Sequence, residues 1–261
     1  MKKFLFILLL LMVPAVSCIA GTFSCKNVTI EALRNQVPIP SATIISKRDV
    51  NGLCEVILNI NNEYVPVYAG ADYVIAGEMF QGQKQITQTE IDNLKAKNFK
   101  RLLPKIDQYV SMVYKPKVIN QTVYMITDPV CPFCHRAEEN LKLFSKKYHA
   151  EFKLILYSVH PPIGRQKAVE AVCRKLTASQ YIAGKWKEDN KTSQYQCQTG
   201  INKIFQIEQL MSKLGINGVP MFIFPDGKTV KGADMTNLKK ALAINLKNAQ
   251  KAKTEKISLA R

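Results

Sequence analysis

The stretch "ITDPVCPFCHRAEENL", Ile126 to Leu141, sets two cysteines in a Cys-x-x-Cys pattern with a histidine directly behind them. Three chemistries use that pattern: a redox dithiol, half of a zinc site, and the covalent anchor of a c-type haem. The flanking residues weigh between them. "KVINQTVYMITD", Lys117 to Asp128, reads as a strand running into the motif. Behind it, Ala137, Leu141, Phe144 and Tyr148 share one face of a helix. Glu138 and Glu139 come early in that helix and Lys146 and Lys147 late, as its dipole favours. "EFKLILYSV", Glu151 to Val159, is the next strand. Strand, helix and strand in this order imply a right-handed crossover and a parallel pair.

A closed zinc site takes four ligands, commonly as two close pairs. Here there is one Cys-x-x-Cys, and the only histidines are His135, His149 and His160. Cys131-Pro-Phe-Cys-His135 satisfies the haem signature to the letter, but it joins a strand to a helix inside an α/β unit, whereas haem motifs favour small helical domains. The dithiol reading has a mechanism. A cysteine at a helix N-terminus meets unpaired backbone N–H groups and the positive dipole end, and both stabilise a thiolate. Cys131 then lies exposed just before the helix as the nucleophile. Cys134, one turn in, attacks the mixed disulfide and releases the substrate. Pro132 fits the first turn, where its missing N–H would have no partner. A plain structural Cys131–Cys134 disulfide is the alternative. Far downstream, "NGVPMFIF" opens a strand at Val219-Pro220. Pro220 is either an ordinary trans proline at a strand start or a cis proline marking a special site. The backbone of Val219 is placed to pair with an extended substrate segment.

Moving outward, Lys2 and Lys3 precede an apolar run, Phe4 to Val13, and small residues follow at Ala15, Ser17, Ala20 and Gly21. This is a secretory signal over residues 1–20, cleaved after Ser17 or Ala20, and too short to span a bilayer comfortably. A retained anchor and a lipidated Cys18 are the alternatives. The mature chain is then expected to be soluble in an oxidising space such as the periplasm. Losing Lys2 and Lys3 lowers the formal charge from +17 by two. The lysines are scattered, which fits a basic solvated surface and no nucleic-acid partner. Seven cysteines leave six once Cys18 is set aside. Chain proximity groups them as Cys25 with Cys54, Cys131 with Cys134, and Cys173 with Cys197, although six cysteines allow 15 connectivities. In an oxidising compartment the outer pairs read as structural disulfides.

The segments "CEVILNI", "EYVPVYA" and "DYVIAGEMF" read as a meander of short strands after a short helix at residues 30–37. They define an α+β domain over residues 21–84. Thr87 and Glu90 offer a capping box for a helical linker, residues 85–115, which Pro104 is expected to kink or divide. Residues 116–261 form the α/β domain that carries the motif. It has a helical insertion at about residues 165–208, a strand–turn–strand around Pro225-Asp226-Gly227, and a last helix over residues 235–247.

Together "VYKPKVINQTVYMITDPVCPFCH", "LGINGVPMFIFPDGKTVKG", "YVPVYAGADYVIAGEMF" and the later Cys173 and Cys197 resemble the periplasmic disulfide isomerases of the DsbC/DsbG type over nearly the whole mature chain. The resemblance implies a cystatin-like N-terminal dimerisation domain and a helical linker. It also implies a thioredoxin-like catalytic domain with a helical insertion, assembled as a V-shaped homodimer around a shared cleft. It makes Cys131 and Cys134 the catalytic pair and Pro220 a cis proline packed against them. Pro132, Phe133 and Val219 become substrate-contacting residues, and Cys173–Cys197 a structural disulfide. It further implies that misfolded secreted proteins are the clients, that chaperone activity accompanies the chemistry, and that a membrane reductant of the DsbD type supplies electrons. Neither a cofactor nor a metal is implied. The chain departs from the family in three ways. Pro132-Phe133 and "DPVCP" are closer to the DsbG type, whose relevant activity is reduction of sulfenylated cysteines. Val219 stands where both isomerase types usually carry threonine, as in DsbA-type oxidases. The Cys25–Cys54 pair is not a standard feature. Thioredoxin and DsbA carry an acid six residues before the nucleophile; here that residue is Met125.

Overall fold

The computed structural model describes residues 23–184 and 192–259. The signal segment and Cys18 lie outside the described residues. Helix α1 (Ile30–Arg34) is capped by Thr29, whose hydroxyl accepts from Ala32 N at 3.1 Å. Strands β1 (Thr43–Val50), β2 (Leu53–Ile60), β3 (Glu63–Ala69) and β4 (Val74–Ala76) follow as an antiparallel meander in that order. Tight turns at Asn51-Gly52 and Asn61-Asn62, all four residues at positive φ, join the first three strands. Val56, Leu58, Val67 and Ala69 on one sheet face pack on Val28, Leu33 and the Cys25–Cys54 disulfide.

A hairpin of β5 (Phe80–Gln81) and β6 (Lys84–Gln85) leads into α2 (Ile86–Asp107). The capping box expected for this helix does not hold, and neither does its division in two. The helix starts before Thr87, and no capping box forms. The Thr87 hydroxyl instead accepts from Met79 N at 2.6 Å and bonds to the Tyr68 hydroxyl. A buried phenol and a backbone N–H outcompete the helix's own first turn for that oxygen. Nor does Pro104 divide the helix, which runs unbroken to Asp107. The proline has no N–H to give the Lys100 carbonyl one turn earlier, and the helix ends at Asp107 soon after it. Tyr68 also donates to Glu55 at 2.7 Å. Glu55 is fully buried and is paired with Arg48, so a polar chain ties the sheet to α2.

The second half contains β7 (Met112–Tyr114), β8 (Gln121–Thr127), α3 (Pro132–Glu139), α4 (Leu141–Tyr148), β9 (Ala150–Leu156), α5 (Ile163–Cys173), α6 (Ala178–Ile182), α7 (Gln198–Lys213), β10 (Met221–Ile223), β11 (Thr229–Lys231) and α8 (Met235–Leu259). Its five-stranded sheet has the order β11-β10-β8-β9-β7. β8 and β9 are parallel, with Val123 opposite Phe152 and Thr127 opposite Leu156; β10 runs antiparallel to β8. Met125, Ile126, Phe152, Leu154 and Phe222 form the centre of one core, to which α2 contributes Phe99 and Ile106. The helix behind the cysteine motif is two segments meeting at Asn140. The side-chain amide of Asn140 donates to Arg136 O at 2.9 Å, competing with the regular ladder. Ala137, Leu141 and Phe144 nevertheless stay on the buried face.

Two glycines let the halves meet closely. At Gly227 (φ +83°) a Cβ would strike the Ala96 carbonyl of α2, and at Gly215 (φ +64°) it would lie 2.6 Å from Asn62 O at the β2–β3 turn.

Candidate functional site

β8 ends at Thr127, and four residues later Cys131 stands as the N-cap of α3, with Pro132 the first helical residue and Cys134 in the first turn. Both sulfurs are free thiols, whereas Cys25–Cys54 and Cys173–Cys197 are bonded, with Cα separations of 4.9 and 5.7 Å. The second disulfide joins the end of α5 to the start of α7. It packs so tightly on Gly200 that a side chain there would strike the Cys173 sulfur.

Cys131 is not exposed as the sequence suggests; it retains only 3% of its surface. Its cover comes from far along the chain. The Val219–Pro220 peptide is cis, and the Val219 carbonyl lies 4.0 Å from Cys131 Sγ. Antiparallel pairing of β10 with β8, Met221 opposite Ile126, brings Val219 to that place. Pro220 is buried and Val219 half-buried, while Phe133 is 56% exposed beneath the Arg136 guanidinium, 5.6 Å away. The Cys131 sulfur therefore lies just beneath the surface with the Val219 carbonyl beside it, and the exposed Phe133 follows two residues on. A cavity of about 520 Å³ opens next to Val219, lined also by Tyr64, Phe99, Lys95, Lys213 and Lys231. Burial, assisted by Lys231, lowers the pKa of Lys95 in its wall.

Cys134 is fully buried. Its sulfur accepts from Asp128 N at 3.3 Å. Burial pushes the Cys134 thiol far above the ordinary range, against the opposing pull of the hydrogen bond from Asp128 N. Asp128, also fully buried, anchors the motif to the loop after β9. Its carboxylate accepts from Val130 N (2.9 Å), Val159 N (2.8 Å) and the Ser158 hydroxyl (3.2 Å), and it meets His160 Nδ1 at 2.9 Å. Glu138 is buried behind Cys134, where it accepts from the Thr127 hydroxyl at 2.6 Å and faces His135 Nδ1 at 3.3 Å. Tyr181 of α6 closes this pocket. Its phenol is raised first by burial, then by the charge of Glu138.

The sequence reading named the two cysteines, Pro132, Phe133, Val219 and Pro220, and the structure brings these six together. It passed over Thr127, Asp128, Glu138, His160 and Tyr181. One signal for Glu138 was available: it lies one turn after Cys134, next to the buried Ala137, on the face that the apolar pattern turns inward.

A sequence profile described as "Thioredoxin-like domain" matches residues 112–243, just over half of the chain. The chain belongs to this family. No curated protein matches the sequence. Among solved structures, this thioredoxin-like chain is similar to ScsC of Proteus mirabilis in a compact conformation, at 15% identity and a TM-score of 0.49, covering 63% of this chain and 89% of that one. It is similar to Helicobacter pylori DsbG at 13% identity and a TM-score of 0.41, covering 70% and 93%. A third similar structure is a periplasmic thioredoxin-like protein from Salmonella enterica serovar Typhimurium, at 18% identity and a TM-score of 0.44, covering 52% and 89%. Among the described residues no helix is long and apolar enough to cross a membrane.

Proposed function

We propose that this chain is a thiol–disulfide oxidoreductase that reshuffles non-native disulfides in secreted proteins of the periplasm. One observation carries the reading: two free thiols at a helix N-terminus, one fully buried and the other beside a carbonyl that a client strand would approach. Cys131 attacks a client disulfide. Cys134 either resolves the mixed disulfide or stays idle while the client's own thiol displaces Cys131 and isomerises the bond. Val219 offers backbone pairing to an extended client, and Phe133 an exposed apolar ring. Isomerisation requires reduced Cys131, hence a membrane reductant of the DsbD type. The strand-rich domain before α2 serves as a homodimerisation module, and the cleft between two copies holds misfolded chains, which gives chaperone activity.

Refolding of a scrambled multi-disulfide protein tests this. The wild type restores native pairing and Cys131→Ser does not; activity that survives Cys131→Ser makes the protein a chaperone with an incidental dithiol. Val219 favours a second reading, a dithiol oxidase of the DsbA type, and Pro132-Phe133 favours reduction of sulfenylated cysteines. The redox state of the pair in living cells separates the oxidase from the other two. An oxidase keeps Cys131–Cys134 mostly oxidised, while an isomerase or reductase keeps it mostly reduced.

A further inference from the structure

The cavity beside Val219 carries a charge that the fold leaves unanswered. Its lining sets three lysines, Lys95, Lys213 and Lys231, against a single acid, Glu63. The lysines come from three elements: Lys95 from the middle of α2, Lys213 from the last turn of α7 and Lys231 from β11. None of the three is in an ion pair with a carboxylate among the described residues. Lys95 is half-buried. Its pKa is lowered first by burial and then by Lys231, which together outweigh Asp92 and Glu63 pulling the other way. Its ammonium lies 5.7 Å from the centre of the Tyr64 ring, and a ring face replaces an anion only in part. Like charges held in a partly desolvated space repel, so this arrangement carries a cost that a bound anion would remove.

The position of the cavity ties that charge to the dithiol. Val219 lines it, and the Val219 carbonyl stands 4.0 Å from Cys131 Sγ. Lys231 pairs with Met221, two residues beyond Val219, and Gly232 N donates to Pro220 O at 2.7 Å. Strand β11 thus holds Lys231 beside the cis proline. Residues 214–218, which join Lys213 to Val219, form another part of the wall. An extended client advances about 3.3 Å per residue, so a segment with its sulfur at Cys131 and its backbone on Val219 enters the cavity within about two to four residues. The volume, about 520 Å³, suits a few side chains of such a segment.

We propose that this cavity is a subsite for acidic residues of the client strand, so that the protein prefers disulfides whose cysteine lies within a few residues of aspartate or glutamate. The inference rests on the dithiol reading above and names which clients that site selects. Client carboxylates pair with Lys95, Lys213 and Lys231, and this complementarity acts mainly on the rate of productive encounter. Because Tyr64 belongs to β3 and Lys95 to α2, the strand-rich half takes part in choosing the client.

A basic surface attracts acidic peptides wherever its lysines stand, so the test must separate the cavity from the rest of the chain. It uses Cys134→Ala, in which attack by Cys131 leaves a stable mixed disulfide. Two disulfide-linked peptides of one sequence differ only in carrying glutamates or glutamines near the cysteine. Adduct formation is followed by acid quench and mass spectrometry. At low ionic strength the glutamate peptide is expected to react about tenfold faster, and the advantage should shrink as salt is added. Lys95→Gln/Lys231→Gln should bring it down to the glutamine rate. The glutamine peptide should react with that variant as before, which shows that the site is still folded. Lys95→Arg should keep the preference. Lys142→Gln/Lys146→Gln removes the same charge from exposed positions on α4 and should reduce the preference by less than about twofold. No preference in the parent protein, or a preference lost as fully in the α4 variant as in the cavity variant, overturns the proposal and leaves the dithiol reading standing. If neither peptide forms an adduct, the dithiol reading fails, and peptides with serine in place of cysteine test the subsite alone by fluorescence anisotropy. Tighter binding of the glutamate peptide that Lys95→Gln/Lys231→Gln abolishes supports the subsite, and equal binding of the two peptides overturns it.

Discussion

Deleting the Cys173–Cys197 disulfide should destabilise the thioredoxin-like domain by about 3.5 kcal/mol. The bond spans a sequence separation of 24 residues. In the chain-entropy account a loop of roughly 25 residues costs about 12 cal/mol/K on closure, or about 3.5 kcal/mol at 25 °C, and the bond spares the folded state that cost. The effect should reach the whole domain because α7, anchored by Cys197, inserts Ile204, Ile207, Leu210 and Met211 into its core. With an unfolding entropy of about 2.1 cal/mol/K per residue over the matched span, residues 112–243, the melting temperature should fall by about 12 °C. Calorimetry of Cys173→Ala/Cys197→Ala against wild type measures it, both with Cys131–Cys134 oxidised and no reductant present. A fall of under about 3 °C would refute the loop-entropy argument.

Three further outcomes are expected. Tyr68→Phe removes a donor to buried Glu55 and the partner of Thr87, and should cost about 1–3 kcal/mol in urea unfolding of the N-terminal sheet. Gly227→Ala should cost at least about 1–2 kcal/mol for its backbone conformation alone, and should loosen α2 from the β10–β11 turn, read as faster proteolysis within α2. In reduced Cys131→Ser, ultraviolet titration should find the Cys134 thiol ionising well above the ordinary cysteine range, because burial holds it protonated. Since the folded thiol ionises later than the unfolded one, its contribution to stability is complete below about pH 8.5 and declines above it. Unfolding of the reduced wild type compared with Cys134→Ser should show that decline, and parallel curves would contradict it.

Local pattern made much of the fold legible. The β-branched run before the cysteines, the helical stripe behind them and the next apolar run correspond to β8, the α3–α4 pair and β9. The alternating segments after Leu53 correspond to β2 and β3. Strand β1 escaped notice because Ser46, Lys47, Arg48 and Asp49 make it read as a loop; it is an edge strand, where charge is usual. β7 is only three residues long and hides at the end of the linker. At the site, sequence spacing puts Cys131 at a helix start but cannot show that a carbonyl 88 residues away covers it. Asp128 and Glu138 look like surface acids in the sequence. They are buried because Ser158 and His160 arrive from the loop after β9, and because Thr127 and Tyr181 enclose the back of α3.

The central claim is that Cys131 is the sulfur that meets a protein disulfide and Cys134 the one that releases it. Incubating Cys134→Ala with a disulfide-bonded client protein and mapping the adduct by mass spectrometry tests it directly. The account predicts a stable, reductant-sensitive adduct through Cys131 that neither wild type nor Cys131→Ser accumulates. No adduct in Cys134→Ala, or an adduct of equal yield in Cys131→Ser, would contradict it.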